Sequence, residues 1–435
     1  MHFPENVKEI INKLETAGFE ACAVGGCVRD SLLGLNPPDY DIATSALPAE
    51  IKEVFTDYKL VDIGEKHGTI AVIVSGEKIE ITTFRCDGDY SDSRRPDSVV
   101  FTRDLLSDLS RRDFTVNAMA YSEKSGLTDP FGGEQDLKNN ILRCVGEPEK
   151  RFTEDALRIM RALRFMAERG FSCEEKTRTA LFNLKDRLSL IAPERIRVEF
   201  DRMLLGDYTE SIILEYIDII GVFVPEILAS VNFEQHSGYH IYDVLTHTAK
   251  TISAAPKERV LRLTMFFHDI AKPECFTMKA GSGSFKGHAE KGAEIAASVM
   301  RRLRYDNATL HKVKLLIKHH DDDARTDDIS IKKLLNKFGF ETFMQLCEVQ
   351  FADDSAKAEF VDKRKNDRMF IFKRAREIAE SGECYMLSQL AVNGGDLVEA
   401  GFKGAEIGEK LQELLMLVIE GKLENDKNIL LKGLE

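Results

Sequence analysis

Short strand-like segments are confined to the first third of this chain, and that narrows its fold more than any other feature. Ala21 to Val24, Ile70 to Val74 and Ile79 to Phe84 have the length and residue types of strands. An opening helix is expected over Val7, Ile10, Ile11 and Leu14, ending near Gly18. From about Glu154 onward the apolar positions recur at helical spacing, and strands become hard to find. The pattern predicts an α+β protein, a small α/β head followed by a long all-α body. At 435 residues a single core does not suffice. Seams near Gly146-Glu147-Pro148, Val231 to Gly238 and Asp321 to Asp328 divide the chain into expected parts at 1–145, 146–235, 236–330 and 331–435. No fixed-period repeat or low-complexity tract interrupts this plan.

Composition removes several classes of function. No apolar run approaches the roughly 18 residues of a membrane span, and Met1-His2-Phe3-Pro4-Glu5 lacks the basic start and apolar core of a signal peptide. A cytoplasmic protein with no membrane partner is expected. Eight cysteines are scattered without a Cys-x-x-Cys spacing, which argues against a zinc ribbon or a disulfide framework. The net charge of −13 does not advertise a nucleic-acid binder, but the charge is unevenly placed. Arg94-Arg95, Arg111-Arg112, Arg158, Arg161 and Arg164 cluster early, whereas acid collects elsewhere, as in Asp321-Asp322-Asp323.

The head holds the densest chemistry. Gly25-Gly26-Cys27-Val28-Arg29-Asp30 precedes Asp39-Tyr40-Asp41 and the apolar Ile42-Ala43. Alternate residues of a strand share a face, which would set Asp39 and Asp41 about 7 Å apart along the chain. Such a pair can hold Mg²⁺, which bridges nucleotide phosphates and activates a hydroxyl nucleophile. The Gly-Gly turn exposes backbone N–H groups, and the Arg29 fork suits a triphosphate. Glu80 is a candidate third carboxylate or a plain solvent-facing residue. Gly64 to Thr69 reads as a turn into a strand, and Arg85 to Pro96 as a polar loop with room to close over a substrate. In Arg111-Arg112-Asp113-Phe114-Thr115-Val116-Asn117, arginine can meet a phosphate bidentately while Asp and Asn read ribose hydroxyls.

Glu154-Asp155-Ala156-Leu157-Arg158 through Phe165 reads as an amphipathic helix, with Asp155, Arg158, Arg161 and Arg164 along one face. A solvated ion-pair ladder would have the same spacing. The sharper reading rests on hydrogen-bond polarity, because ionised Asp only accepts and Arg only donates. Cytosine and adenine each offer an amino donor beside a ring-nitrogen acceptor. Guanine and uracil offer a carbonyl beside a ring N–H and would be rejected.

In order and context these blocks resemble the class II tRNA nucleotidyltransferases, the family of CCA-adding enzymes and bacterial poly(A) polymerases. The resemblance spans about residues 20 to 200 and includes Pro193-Glu194-Arg195-Ile196. It implies a polymerase-β-like head with Asp39 and Asp41 as catalytic metal ligands for Mg²⁺. It implies that Gly26, Arg29 and Arg112 hold the nucleotide's phosphates and sugar, and that Asp155 and Arg158 read the base. Arg161 and Arg164 would support the pocket and triphosphate. The implied partners are the tRNA 3′ end, CTP and ATP, and the implied reaction is template-independent addition of C and A. Bacterial poly(A) polymerases carry a Gly-Arg-Arg-Phe-like stretch after the Asp pair, where this chain has Gly64 to Thr69, as in CCA-adding enzymes. An A-adding enzyme and a poly(A) polymerase stay open as alternatives.

A second constellation lies further on. Seven of the ten histidines fall between His240 and His320. Phe266-Phe267-His268-Asp269-Ile270-Ala271-Lys272 resembles the HD phosphohydrolases, and Gly287-His288-Ala289-Glu290 fits their following helix. That resemblance implies His247, His268 and Asp269 as ligands of a second divalent metal (Mn²⁺, Ni²⁺ or Mg²⁺). The fourth ligand is open among His288, His319, His320 and Asp321, as is whether the site is active. A chain acting chiefly as an HD phosphohydrolase is the alternative from another class. The tail from Leu390 to Gly408, with a helix beginning near Glu406, is expected to contact tRNA through Lys403 and backbone N–H groups.

Overall fold

The computed structural model describes residues 1, 3–65, 68–88, 99–279, 281–358 and 362–434. The chain forms two compact units, 1–225 and 226–435.

In the first unit, α1 (Glu5–Thr16) buries Val7, Ile10, Ile11 and Leu14, the stripe its spacing requires. It packs on β1 (Ala21–Val24), a strand buried along its whole length. Next come α2 (Gly26–Leu32), β2 (Asp41–Thr44), α3 (Pro48–Val54), β3 (Lys59–Gly64), β4 (Thr69–Val74) and β5 (Glu77–Thr83). A small ribbon, β6 (Arg85–Asp87) and β7 (Val99–Phe101), leads to α4 (Leu105–Ser110) and to β8 (Ala120–Ser122) and β9 (Gly126–Thr128). The sheet runs β3-β4-β5-β2-β1-β8-β9, with β2 and β5 parallel and the other pairs antiparallel. The three strands read from the sequence are its β1, β4 and β5. The stretch between β6 and β7 contains most of the expected closing loop. Its residues 89–96, and Lys66 and His67 of the expected turn, lie outside the described residues.

After α5 (Gly133–Lys138), the parallel pair β10 (Ile141–Leu142) and β11 (Ser172–Cys173) joins the sheet region to helices. These are α6 (Pro148–Glu154), α7 (Leu157–Arg169), α8 (Glu175–Leu184), α9 (Pro193–Leu204) and α10 (Thr209–Ile220). The expected single helix from Glu154 to Phe165 is therefore interrupted. Asp155 adopts an extended conformation, φ −136 and ψ 103, and its Oδ1 accepts a hydrogen bond from the Leu157 N–H. Asp side chains compete with the backbone in this way, so Asp155 stands at the junction ahead of α7 instead of on its face.

Among its described residues the second unit is helical apart from one hairpin, β12 (Thr277–Lys279) with β13 (Ser282–Ser284). Its helices begin with α11 (Val244–Ala254), α12 (Arg259–Phe267), α13 (Lys272–Cys275), α14 (His288–Arg302) and α15 (Asn307–His319). They continue with α16 (Asp328–Phe338), α17 (Phe340–Ser355), α18 (Asp362–Ser381), α19 (Gly394–Glu399), α20 (Ala405–Ile419) and α21 (Lys427–Lys432). Asp243, Asp306 and Asp327 each accept the backbone N–H three residues on, which fixes where α11, α15 and α16 start. In the tail, Gly394 and Gly395 form the first turn of α19, capped by Asn393, and the helix expected near Glu406 is α20. Among the described residues no helix is long and apolar enough to cross a membrane. All eight cysteines are free thiols.

Candidate active site and candidate metal centre

Asp41 opens β2, while Asp39 lies two residues ahead of it in a bend, so only one of the pair belongs to the strand. Both are exposed. The parallel pairing of β2 with β5 sets Glu80 in register with Asp41, but Glu80 is engaged by Lys78 at 2.8 Å. The Asp41 carboxyl is raised above its ordinary pKa of 3.8, chiefly because protein displaces water around it and next because of the Asp39 charge. Arg112 acts in the opposite direction. A carboxyl whose ionisation is opposed by a neighbouring carboxylate forms with it a donor set that a divalent cation relieves, so the residues fit Mg²⁺.

The turn before α2 brings further groups towards this pair. Gly25 has φ +74, and a Cβ there would lie 3.0 Å from Arg112 Nη1. Glycine is thus needed both for the backbone and for the close approach of Arg112. Arg112 Nη2 donates to Asp108 at 3.0 Å. Burial resists ionisation of Asp108, but Arg112 and Arg111 overcome it and hold its pKa below the usual value. Gly26 begins α2, whose first-turn N–H groups have no acceptor within the helix.

Arg29 departs from expectation. Its side chain is buried, with Nε donating to Asp30 at 2.9 Å and Nη1 donating to Asn117 at 2.6 Å. The guanidinium is committed inside the protein. Asp113 and Asn117, read as ribose contacts, are likewise buried. Asn117 Nδ2 donates to Asp113 Oδ1 at 3.1 Å, and Arg161 donates to Asp113 Oδ2 through Nε at 2.8 Å and Nη2 at 2.5 Å. Burial opposes the Asp113 charge, yet Arg161 and Arg158 pull its pKa down to about 2. These residues tie the sheet region to α7.

Asp155 Oδ2 pairs with Arg195 Nη2 at 3.1 Å, which links two motifs that are far apart in sequence. Arg158 does not pair with Asp155. It is buried, donating to Glu154 at 2.8 Å and to the carbonyls of Arg151 and Arg111 at 3.0 and 2.9 Å. Arg164 pairs with buried Glu199 at 3.0 Å, and burial lowers its pKa to about 10.

The second unit brings six side chains together. His247, His268 and Asp353 form one group, and Asp269, His288 and His320 another; within each, the candidate ligand atoms lie within 4.8 Å of one another. Asp269 adjoins both, 3.5 Å from His247 and from His288 and 3.2 Å from His268. All six are buried; His268 Nε2 and Asp269 Oδ1 make no hydrogen bond, while Asp269 Oδ2 has the Lys272 ammonium at 2.6 Å. Buried, poorly satisfied imidazole and carboxylate donors fit a divalent metal. Burial opposes the charge on Asp269, but His268 and Lys272 keep it ionised; Lys357 and His247 do the same for Asp353. Burial, with His268 and His288 nearby, lowers His320 to about 4, leaving a neutral imidazole.

Of the open candidates for further ligands, His288 and His320 join the cluster, whereas His319 turns to Asp322 at 2.6 Å. Asp321 lines the adjoining cavity, about 360 Å³ in volume, together with His240, Lys272 and Lys357. Asp353 was not anticipated. Its one signal is an Asp-Asp pair in an otherwise apolar part of α17. In the sequence Arg195 stands out only as part of Pro193-Glu194-Arg195-Ile196, although it is the partner of Asp155.

Comparison with known proteins agrees with this architecture. Residues 21–143 match the poly A polymerase head domain, 170–228 the RNA and SrmB-binding site of polymerase A, and 288–434 tRNA nucleotidyltransferase domain 2. The CCA-adding enzyme of Lactobacillus helveticus is 35% identical over 98% of this chain and 95% of its own length. That of Limosilactobacillus fermentum is 35% identical over 99% and 96%. The crystal structure of the Bacillus stearothermophilus CCA-adding enzyme in complex with CTP superposes with a TM-score of 0.73 at 29% identity, over 99% of this chain and 96% of that one. The Thermotoga maritima CCA-adding enzyme complexed with tRNA shares the fold, with a TM-score of 0.58 at 20% identity over 99% and 95%. The matching head and domain 2 families, with these relatives, place the chain among the class II nucleotidyltransferases. The chain belongs to the CCA-adding enzyme family within that class.

Proposed function

We propose that this protein adds C and A nucleotides to the 3′ end of tRNA, using CTP and ATP without a template. The observation that carries the proposal is the Asp39–Asp41 pair beside the Gly25 turn and Arg112. Mg²⁺ held by Asp39 and Asp41 would supply charge neutralisation at the triphosphate and a more acidic 3′-hydroxyl. The protein's own part is to receive the phosphates at the first turn of α2 from Gly26 and at Arg112. Arg29 acts from within, braced by Asp30 and Asn117, and Arg161 and Arg164 brace the pocket on α7. Asp155 accepts from the amino group of cytosine or adenine and Arg158 donates to the ring nitrogen. For this, one Arg158 donor must exchange Glu154 or a carbonyl for the base. Tasks divide along the chain as catalytic head (1–145), base-reading neck (146–235), HD-type domain (236–330), whose cluster is completed by Asp353 from beyond that boundary, and tRNA-binding tail (331–435).

The test is Asp155→Ala. The wild type is expected to prefer CTP and ATP to UTP and GTP, and the variant to lose that preference. An Asp155→Ala protein that kept it would overturn the base-reading role.

The six-residue cluster supports a second reading. His247, His268 and Asp269, joined by His288, His320 and Asp353, would hold divalent metal for a phosphohydrolase whose substrate enters the adjoining cavity. Hydrolysis of a nucleoside 2′,3′-cyclic phosphate with Mn²⁺, Ni²⁺ or Mg²⁺, abolished by His268→Ala together with Asp269→Ala, is the expected result. Activity surviving that double change would remove the site from consideration.

A further inference from the structure

Three of the arginines discussed above surround one aromatic ring. The guanidinium carbons of Arg164, Arg29 and Arg161 lie 4.3, 5.1 and 5.5 Å from the ring centroid of Phe165. Phe165 is 4% exposed and is itself held edge-on by Phe114, with centroids 5.8 Å apart. Arg29 comes from α2, whereas Arg161 and Arg164 come from α7, so the ring lies where the two helices present their cations. Each cation also has its own acid: Asp30, Asp113 and Glu199 respectively. Those acids sit on different parts of the fold, and each makes its direct ion pair with a different one of the three guanidinium groups. The Phe165 ring is a group against which all three guanidinium groups lie. Its negative faces attract cations, and its rigid bulk limits how closely three like charges can approach one another. A leucine would fill similar space without the charge distribution.

We propose that Phe165 is a positioning residue for nucleotide binding, its ring setting Arg29, Arg161 and Arg164 in the arrangement that supports the incoming triphosphate and base. The proposal rests on the nucleotidyltransferase reading above. The full chain, Phe165→Leu and Phe165→Tyr are compared in CMP and AMP addition to tRNA, with CTP, ATP and tRNA each varied and thermal midpoints recorded. Phe165→Leu is expected to raise KM for both CTP and ATP about tenfold, a size suited to a desolvated cation–π contact, with KM for tRNA little changed. Phe165→Tyr, which keeps the ring, is expected to restore most of the nucleotide KM.

A merely structural role would instead lower kcat with the folded fraction and leave KM for the nucleotides alone; that result overturns the proposal, as does Phe165→Tyr behaving like Phe165→Leu. Should Phe165→Leu fail to fold, a trifluorinated phenylalanine at 165 keeps the shape and weakens the ring's negative face. A nucleotide KM unchanged by fluorination overturns the proposal, and a raised one supports it. Wild-type protein that adds no nucleotide overturns the parent reading, whereas wild-type turnover with an unchanged variant KM overturns this inference alone.

Discussion

Asp113→Asn alters almost nothing in shape and removes one buried charge. Asp113 Oδ1 accepts from the Phe114 N–H at 2.8 Å and from Asn117, while Oδ2 takes two donors from Arg161. The carboxyl pKa falls from 3.8 to about 2 on folding. At about 1.4 kcal/mol per pKa unit, that difference is worth ~2.5 kcal/mol at neutral pH. Breaking a buried pair by removing one partner costs about 3–5 kcal/mol. Arg161 retains some access to water, 33% of its side chain, so the lower end applies and a loss of about 3 kcal/mol is expected.

For a unit of this size, 1 kcal/mol moves the midpoint by about 2–4 °C, so Asp113→Asn should melt roughly 6–12 °C lower at pH 7. The pH dependence has a definite sign. A depressed carboxyl pKa contributes stability above the unfolded value, which is lost as pH falls through the folded one. The gap between wild type and variant should therefore be full at neutral pH and narrow between about pH 4 and pH 2. Calorimetry on both proteins across that range checks this. A variant melting within about 2 °C of wild type at pH 7, or a gap that does not narrow in acid, would mean that the Asp113–Arg161 pair does not supply this stability.

Other outcomes follow from the same geometry. Asp41→Asn should lower nucleotide addition by about a thousandfold or more without lowering the melting temperature, because Asp39 and Asp41 repel each other; radiolabelled extension and calorimetry check both halves. Gly25→Ala places a Cβ 3.0 Å from Arg112 Nη1 at a φ of +74. It should cost about 1–2 kcal/mol and raise KM for both nucleotides, read from urea unfolding and steady-state kinetics. Asp353→Asn should lower the divalent metal bound by the purified protein after reconstitution, measured by elemental analysis, while nucleotide addition continues.

The strands β1, β4 and β5 and the helix α1 were legible because their apolar runs have the length and period of the element they form. The Asp39–Asp41 and His268–Asp269 pairs were legible because adjacent motifs carry the chemistry. Asp155 was misplaced because Glu154 to Phe165 keeps a three-residue periodicity across the junction. The break shows in the extended backbone of Asp155 and in the bond from the Leu157 N–H to its carboxylate. Arg29, Asp113 and Asn117 have the residue types of ligand contacts, and nothing in their spacing says that they bind one another. The last cluster member, Asp353, lies on α17 without a neighbouring histidine, so only the packing of α17 near α11 and α12 brings it to His247. Pairing across distant elements is set by packing, which leaves little local trace.

The head is proposed to add C and A to tRNA. This is tested most directly by incubating purified full-length protein and Mg²⁺ with a tRNA lacking CCA, a tRNA ending in CC, and an unrelated RNA. CTP, ATP and both together would be supplied in turn. With both nucleotides, two C residues and one A are expected on the first tRNA, one A on the second, and none on the third. A single A on the CC-ending tRNA alone would mark an A-adding enzyme, long A tails on any RNA would mark a poly(A) polymerase, and no incorporation at all would contradict the account.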